Sequence, residues 1–149
     1  MVLAHARALL GSGPRGATDY IDADLRDAGK ILEIAGRTID FTRPVAVMLI
    51  AVLHLIRDED NPRQIIGQLM AAVPPGSSLS ISHVPNDMHM GAMSEMSDRL
   101  NRLLAQPSTY RSRAEVTGFF DGLEIVEPGV TPIQQSRPAR QFRGRRRSR

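Results

Sequence analysis

Three aspartates stand close together in "YIDADLRD", at Asp22, Asp24 and Asp27, and two histidines, His54 and His83, each lie at the end of an apolar run. Carboxylates at this spacing have four uses: to ligate a cation, to exchange protons in catalysis, to accept hydrogen bonds from a ligand, or to cap a turn by accepting from a backbone amide nearby. Imidazole adds a base that titrates near neutral pH and a nitrogen ligand for metals. Metal binding has the least support. Asp22, Asp24, His54, His83 and His89 are available, but no H-x-x-x-H or H-E-x-x-H pair sets two ligands on one helix face, and "HVPNDMH" is loop spacing. No metal is expected. A Ser-His-Asp hydrolase would need a G-x-S-x-G elbow, which does not occur. Cysteine is absent, which removes thiolate ligands and cysteine nucleophiles. Ligand binding and turn capping stay open for the aspartates.

The elements that position these residues follow from patterning. The chain has 149 residues, 42% hydrophobic and 23% charged, enough for one domain with a core. Val2–Leu10 reads as a helix with Leu3, Ala6 and Leu10 on one stripe, and Thr18–Asp22 as a short strand. Asp27 is placed to cap a helix that runs to about Ala35 and stops at Gly36. "RPVAVMLIAVL" is apolar without alternation, the pattern of a strand buried on both faces. Asn61 followed by Pro62 opens a helix with Ile65, Ile66, Leu69, Met70 and Val73 on one face. After "PPGSS", Leu79–Val84 reads as another strand. Residues 87–105 are helical, with Met88, Met90, Met93 and Met96 suited to helix packing. Ser112 and Glu115 have capping-box spacing ahead of Val116, Phe119 and Phe120. Leu123–Val126 reads as a strand, and "VTPI" as the start of a last one.

Strands alternating with helices predict an α/β fold with a parallel sheet. Ligands in such sheets bind beyond the carboxyl ends of the strands, where this chain gathers Asp22, Asp24, His54, Asp58, His83 and Asp87.

The net charge of +3 hides an uneven distribution. Seven arginines and no acids lie between Arg137 and Arg149, leaving 12 basic and 16 acidic residues in 1–136, a net of −4. Residues 1–136 are thus read as one domain and 137–149 as an arginine-rich disordered tail. The tail has one aromatic residue, Phe142, so base stacking has little basis and nucleic-acid binding is not expected. No apolar run is long enough to span a bilayer, and the amino-terminal residues lack the basic start and cleavage site of a signal peptide, which predicts a cytoplasmic protein.

Taken in order, "VLAHARALL", "YIDADLRDAGKIL", "DFTRPVAVMLIAVLHLIRDED", "AAVPPGSSLSISH" and "RSRAEVTGFFDGLEIVEPGV" resemble segments of the actinobacterial S-adenosyl methyltransferase family. The resemblance covers residues 2–138 and implies a Rossmann-like, doubly wound, mostly parallel sheet. It implies S-adenosylmethionine as methyl donor and a small-molecule or other acceptor. It also implies roles. Asp24 would accept a hydrogen bond from the adenine amino group, and the Leu25 N–H would meet an adenine ring nitrogen. Asp22 is the register alternative to Asp24, and Asp27 the helix cap. Ala51, Val52, Leu53 and His54 would pass beneath the methionine and ribose. His54 is the candidate general base. His83, at the end of "LSISH", would border the acceptor.

The family's glycine-rich loop and its ribose-binding acid should precede "VLAHARALL", where only Met1 stands; "GSGPRG" follows a helix instead of a strand. The sheet is therefore expected to be incomplete, lacking its first two strands. That leaves an open apolar edge prone to self-association. The lead expectation is the C-terminal part of a methyltransferase. The alternative is a non-catalytic interaction module, pairing through that edge or binding nucleic acid through the tail.

Overall fold

The computed structural model describes residues 12, 13, 16–85 and 108–135. The helices expected at 2–10 and 87–105, the tail, and His5, Asp87 and His89 lie outside them.

Local capping chemistry sets the helices. Helix α1 (Ala28–Ala35) starts where the Asp27 carboxylate accepts from the Lys30 amide at 3.0 Å, and it ends at Gly36. Helix α2 (Pro62–Ala71) has proline at its first position and Asn61 as its cap. Asn61 sits in the left-handed region, φ 51°, which asparagine tolerates better than most residues because its short side chain bonds locally. Helix α3 (Arg113–Thr117) opens on a capping box: Ser112 Oγ accepts from the Glu115 amide, and Glu115 Oε2 accepts from the Ser112 amide at 2.7 Å. A 3₁₀ turn, Gly118–Phe120, continues it. The Arg63 guanidinium lies over Gly118 and pairs with Asp121 at 2.6 Å, so any side chain at 118 would collide with it.

Strands β1 (Ala46–Ile50) and β2 (Ser78–Ser82) pair in parallel, Ala46 against Ser78 through Ile50 against Ser82, with α2 in the crossover. Serine hydroxyls extend both ends of the ladder. Ser77 Oγ accepts from the Val45 amide at 3.0 Å, and Ser82 Oγ accepts from the Ala51 amide at 2.9 Å. Val47, Leu49, Leu79 and Ile81 point to one face and pack with Ala28, Leu53, Ile56, Ile65, Ile66, Leu69, Val116 and Phe119. Of the expected α2 face, Ile65, Ile66 and Leu69 are buried and Met70 packs against them.

Four expectations are corrected. The β1 run is not buried on both faces: Met48 and Ile50 are 64% and 52% exposed on the face opposite the core. The parallel partner explains this, because "SLSIS" alternates and puts Ser78, Ser80 and Ser82 beside those residues. Thr18–Asp22 is irregular, with no described strand beside it to complete a ladder. Leu123–Val126 is also irregular, and Leu123, Ile125 and Val126 are exposed. The "VTPI" segment ends in a 3₁₀ turn, Ile133–Gln135. An apolar run forms a strand only when a neighbour supplies its hydrogen bonds.

Asn61 contributes both a cap and a left-handed backbone. Asn61→Ala is expected to cost about 1–2 kcal/mol and Asn61→Gly only a few tenths, read from urea unfolding midpoints.

Candidate functional site at the carboxyl ends of the strands

The chain turns sharply after β1. Ala51 takes φ 51°, a conformation disfavoured for any residue with a Cβ. The next residues wind into a 3₁₀ turn, Leu53–Leu55, with Leu53 fully buried and His54 half-buried beside it. A second 3₁₀ turn, Asp58–Asp60, leads into α2.

Arg111 holds this loop in place. Its side chain is 3% exposed, yet the residue sits in an apolar cluster. Nη1 donates to the Leu53 carbonyl at 2.9 Å and Nη2 to the Ile56 carbonyl at 2.7 Å. Nε and Nη2 also donate to Asp58 Oδ1 at 2.9 and 2.8 Å. The guanidinium carbon lies 5.3 Å from the Phe119 ring centre, a cation–π contact. Burying the cation is tolerable because four hydrogen bonds to three acceptor oxygens, one of them on a carboxylate, replace its water. The strand of chain that carries it crosses the same end of the sheet. Thr109 N donates to the His54 carbonyl at 2.7 Å, and Arg111 forms a single parallel bridge with Pro85.

His54 and His83 meet at this end, ring centres 6.4 Å apart and inclined at 61°. His54 Nδ1 and both ring nitrogens of His83 are buried and find no hydrogen-bond partner among the described residues. His83 is pushed down to about 4, first by burial and then by the Arg111 charge. It is a neutral imidazole at physiological pH.

Asp24 lies in an exposed turn. Its Oδ1 accepts from the Arg26 amide at 2.9 Å, and its Oδ2 pairs with Arg26 Nη1 at 2.9 Å. The Arg26 amide hydrogen bond is the main cause that holds its carboxyl below the usual range. Arg26 Nε also meets Asp60 Oδ2 at 3.0 Å, so one guanidinium ties the Asp24–Leu25 turn to the loop that follows β1. These ion pairs are partly or largely exposed and contribute little to stability, roughly 0–1 kcal/mol each. Leu25 packs against the core.

The candidates thus fall into two groups. Asp24 and Leu25 are joined through Arg26 to Asp60, in the turn ahead of α2, while Ala51, Val52, Leu53 and His54 form the start of the same loop. His54 and His83 lie side by side. Asp22 is exposed, and Asp27 is the α1 cap. Sequence reading missed Arg111, which precedes a helix cap and has no motif of its own. It also missed Arg26 as the bridge, although its place between two acids in "DADLRD" was a signal.

A model of the S-adenosyl methyltransferase family matches residues 1–148. The chain belongs to this family. It is similar to a DUF574-family protein from Streptomyces avermitilis, at 35% identity and a TM-score of 0.85, with 93% of this chain and 53% of that one covered. It is also similar to a candidate methyltransferase from Thermobifida fusca, at 33% identity and a TM-score of 0.74, with 86% of this chain and 47% of that one covered. A comparison with curated proteins gives no significant match. The chain spans about half the length of the two solved structures. The Rossmann-like, mixed α/β architecture with a small parallel sheet is shared with these family structures. Among the described residues no helix is long and apolar enough to cross a membrane.

In this family member Arg111→Met is expected to cost about 1–3 kcal/mol, because the buried Ile56 carbonyl loses its Nη2 donor, while the Leu53 carbonyl keeps the Ile56 amide and the exposed Asp58 returns to water; a urea melt measures it. His83 gives a pH dependence of definite sign. Its folded value of about 4 lies below the ordinary 6.5. Between those pH values the unfolded chain binds a proton that the folded chain refuses, so stability rises with pH through that window and levels above it. His83→Phe should remove that part of the slope and raise the unfolding midpoint at pH 7.5, since an apolar ring leaves no orphaned nitrogen.

Proposed function

We propose that this chain forms the adenine-side and acceptor-side portion of an S-adenosylmethionine-dependent methyltransferase acting in the cytoplasm. The observation that carries the reading is the Arg26 bridge, which ties the Asp24–Leu25 turn to Asp60 in the second 3₁₀ turn after β1. The Ala51–His54 turn at the start of that same loop is the other segment that a cofactor of this class would touch. Asp24 is suited to the adenine amino group. A carboxylate offers about four acceptor positions, and Arg26 leaves part of that capacity to the exposed side. The Leu25 backbone N–H would serve an adenine ring nitrogen. The left-handed turn at Ala51 brings backbone, with only a methyl side chain, to the strand end where the methionine and ribose would lie.

When bound, the cofactor supplies an activated methyl group on a sulfonium. The protein's part is alignment: the acceptor's nucleophile approaches the methyl carbon opposite the breaking carbon–sulfur bond, and S-adenosylhomocysteine departs. His54 and His83 border the acceptor side of this line.

A second reading rests on the open face of β1. Met48 and Ile50 are exposed there, which suits an interaction module that associates with another copy through its sheet. Sedimentation of the chain across a concentration series tests it. A monomer throughout, with a sharp two-state unfolding transition, would sink that reading.

Calorimetric titration of the full chain with S-adenosylmethionine tests the first. Asp24→Ala should weaken binding by about 10- to 100-fold, the effect of losing a hydrogen bond to a charged group, while Asp22→Ala should leave it unchanged. No heat at millimolar cofactor with a folded sample would overturn the methyltransferase reading.

A further inference from the structure

Buried polar atoms in folded proteins nearly always have partners, and each orphan costs roughly 1–3 kcal/mol. Three orphaned ring nitrogens within one histidine pair are therefore a feature to be explained. The pair stands at the carboxyl ends of adjacent parallel strands, His54 in the turn after β1 and His83 directly after β2. In open α/β sheets that is where ligands bind. Both residues are half-buried, with the three unpaired nitrogens themselves turned away from solvent.

We infer that His54 and His83 together bind an uncharged hydroxyl group, and that the methyl acceptor is an alcohol or a phenol. The word acceptor rests on the methyltransferase reading; the hydroxyl site rests on the histidines. The rings make no hydrogen bond to each other. Their centres lie 6.4 Å apart, a separation that one oxygen bonded to a nitrogen of each ring would span at about 2.8 Å per bond. A neutral imidazole presents one N–H and one lone pair, and a hydroxyl presents one O–H and two lone pairs, so donors and acceptors match.

The surrounding charges exclude the other polar classes. An anion would need a free cationic donor, but Arg111 has Nε, Nη1 and Nη2 committed to Asp58 and to the Leu53 and Ile56 carbonyls. A cation would meet the buried Arg111 charge; Asp58 accepts from Arg111 through Oδ1 and is otherwise turned to solvent, and Glu115 is bound to Ser112. Burial and Arg111 keep His83 neutral, with Asp58 and Glu115 opposing weakly.

Four probes with one ring and different substituents test this on the full chain: benzyl alcohol, benzoate, benzylamine and toluene. The readout is the ¹⁵N histidine spectrum, which reports hydrogen bonding at each ring nitrogen. Benzyl alcohol should shift His54 and His83 together and saturably, and the other three should not. His83→Phe, checked for folding by circular dichroism, should weaken benzyl alcohol about tenfold, the effect of one hydrogen bond. Toluene shifting the pair as strongly would mean an apolar pocket and overturn the inference. So would tighter benzoate or benzylamine, or no response to any probe. Cofactor calorimetry on the same sample separates the two claims. Failure there with a benzyl alcohol response removes the acceptor and keeps the hydroxyl site. Cofactor binding without that response removes only the site.

Discussion

A single buried guanidinium organises the functional end of this molecule. Arg111 comes from a segment distant in sequence and reaches into the turn after β1, where it donates to the Ile56 carbonyl and adds a second donor to the Leu53 carbonyl, which already accepts from the Ile56 amide. The shape of that loop, the position of His54 on it and the path of residues 108–111 across the sheet all follow from those bonds. Burying such a group costs desolvation, which its bonds to oxygen offset. Its value is geometric: five planar donors accept only one arrangement of the surrounding oxygens. A loop fixed in this way can place a ligand-binding turn without help from regular secondary structure.

The exposed Arg26 works differently. It joins two turns through Asp24 and Asp60, in water, with side chains that can rearrange. One arginine thus fixes the floor of the site from within the core, and another positions its rim. The difference in burial separates a part of the structure that must hold its shape from a part that can rearrange.

What was legible in the sequence was local chemistry. Asp27, the Asn61–Pro62 pair and the Ser112–Glu115 box start helices because their side chains satisfy amides two or three residues away, and that requirement is visible in a single short stretch. The strands were legible only where a partner existed. The runs that became β1 and β2 found each other; Leu123–Val126 is as apolar as either but has no described neighbour to pair with. The site was half legible. The rule about strand ends placed His54 and His83 in the same region, but their mutual approach depends on the register of Ala46 against Ser78, which no spacing encodes. Arg111 was not legible at all, because nothing in its own neighbourhood marks an arginine that will be buried.

The crossover from β1 through α2 to β2 joins strands that are neighbours both along the chain and in space. Closing such a loop costs little entropy compared with pairing strands from opposite ends of a domain. The unit carries its own apolar face, its own helix cap and its own serine clamps. It can therefore collapse as one early piece during folding, onto which Arg111 later locks the functional loop. The connectivity thus favours a scaffold built from near neighbours and a loop pinned from a distance.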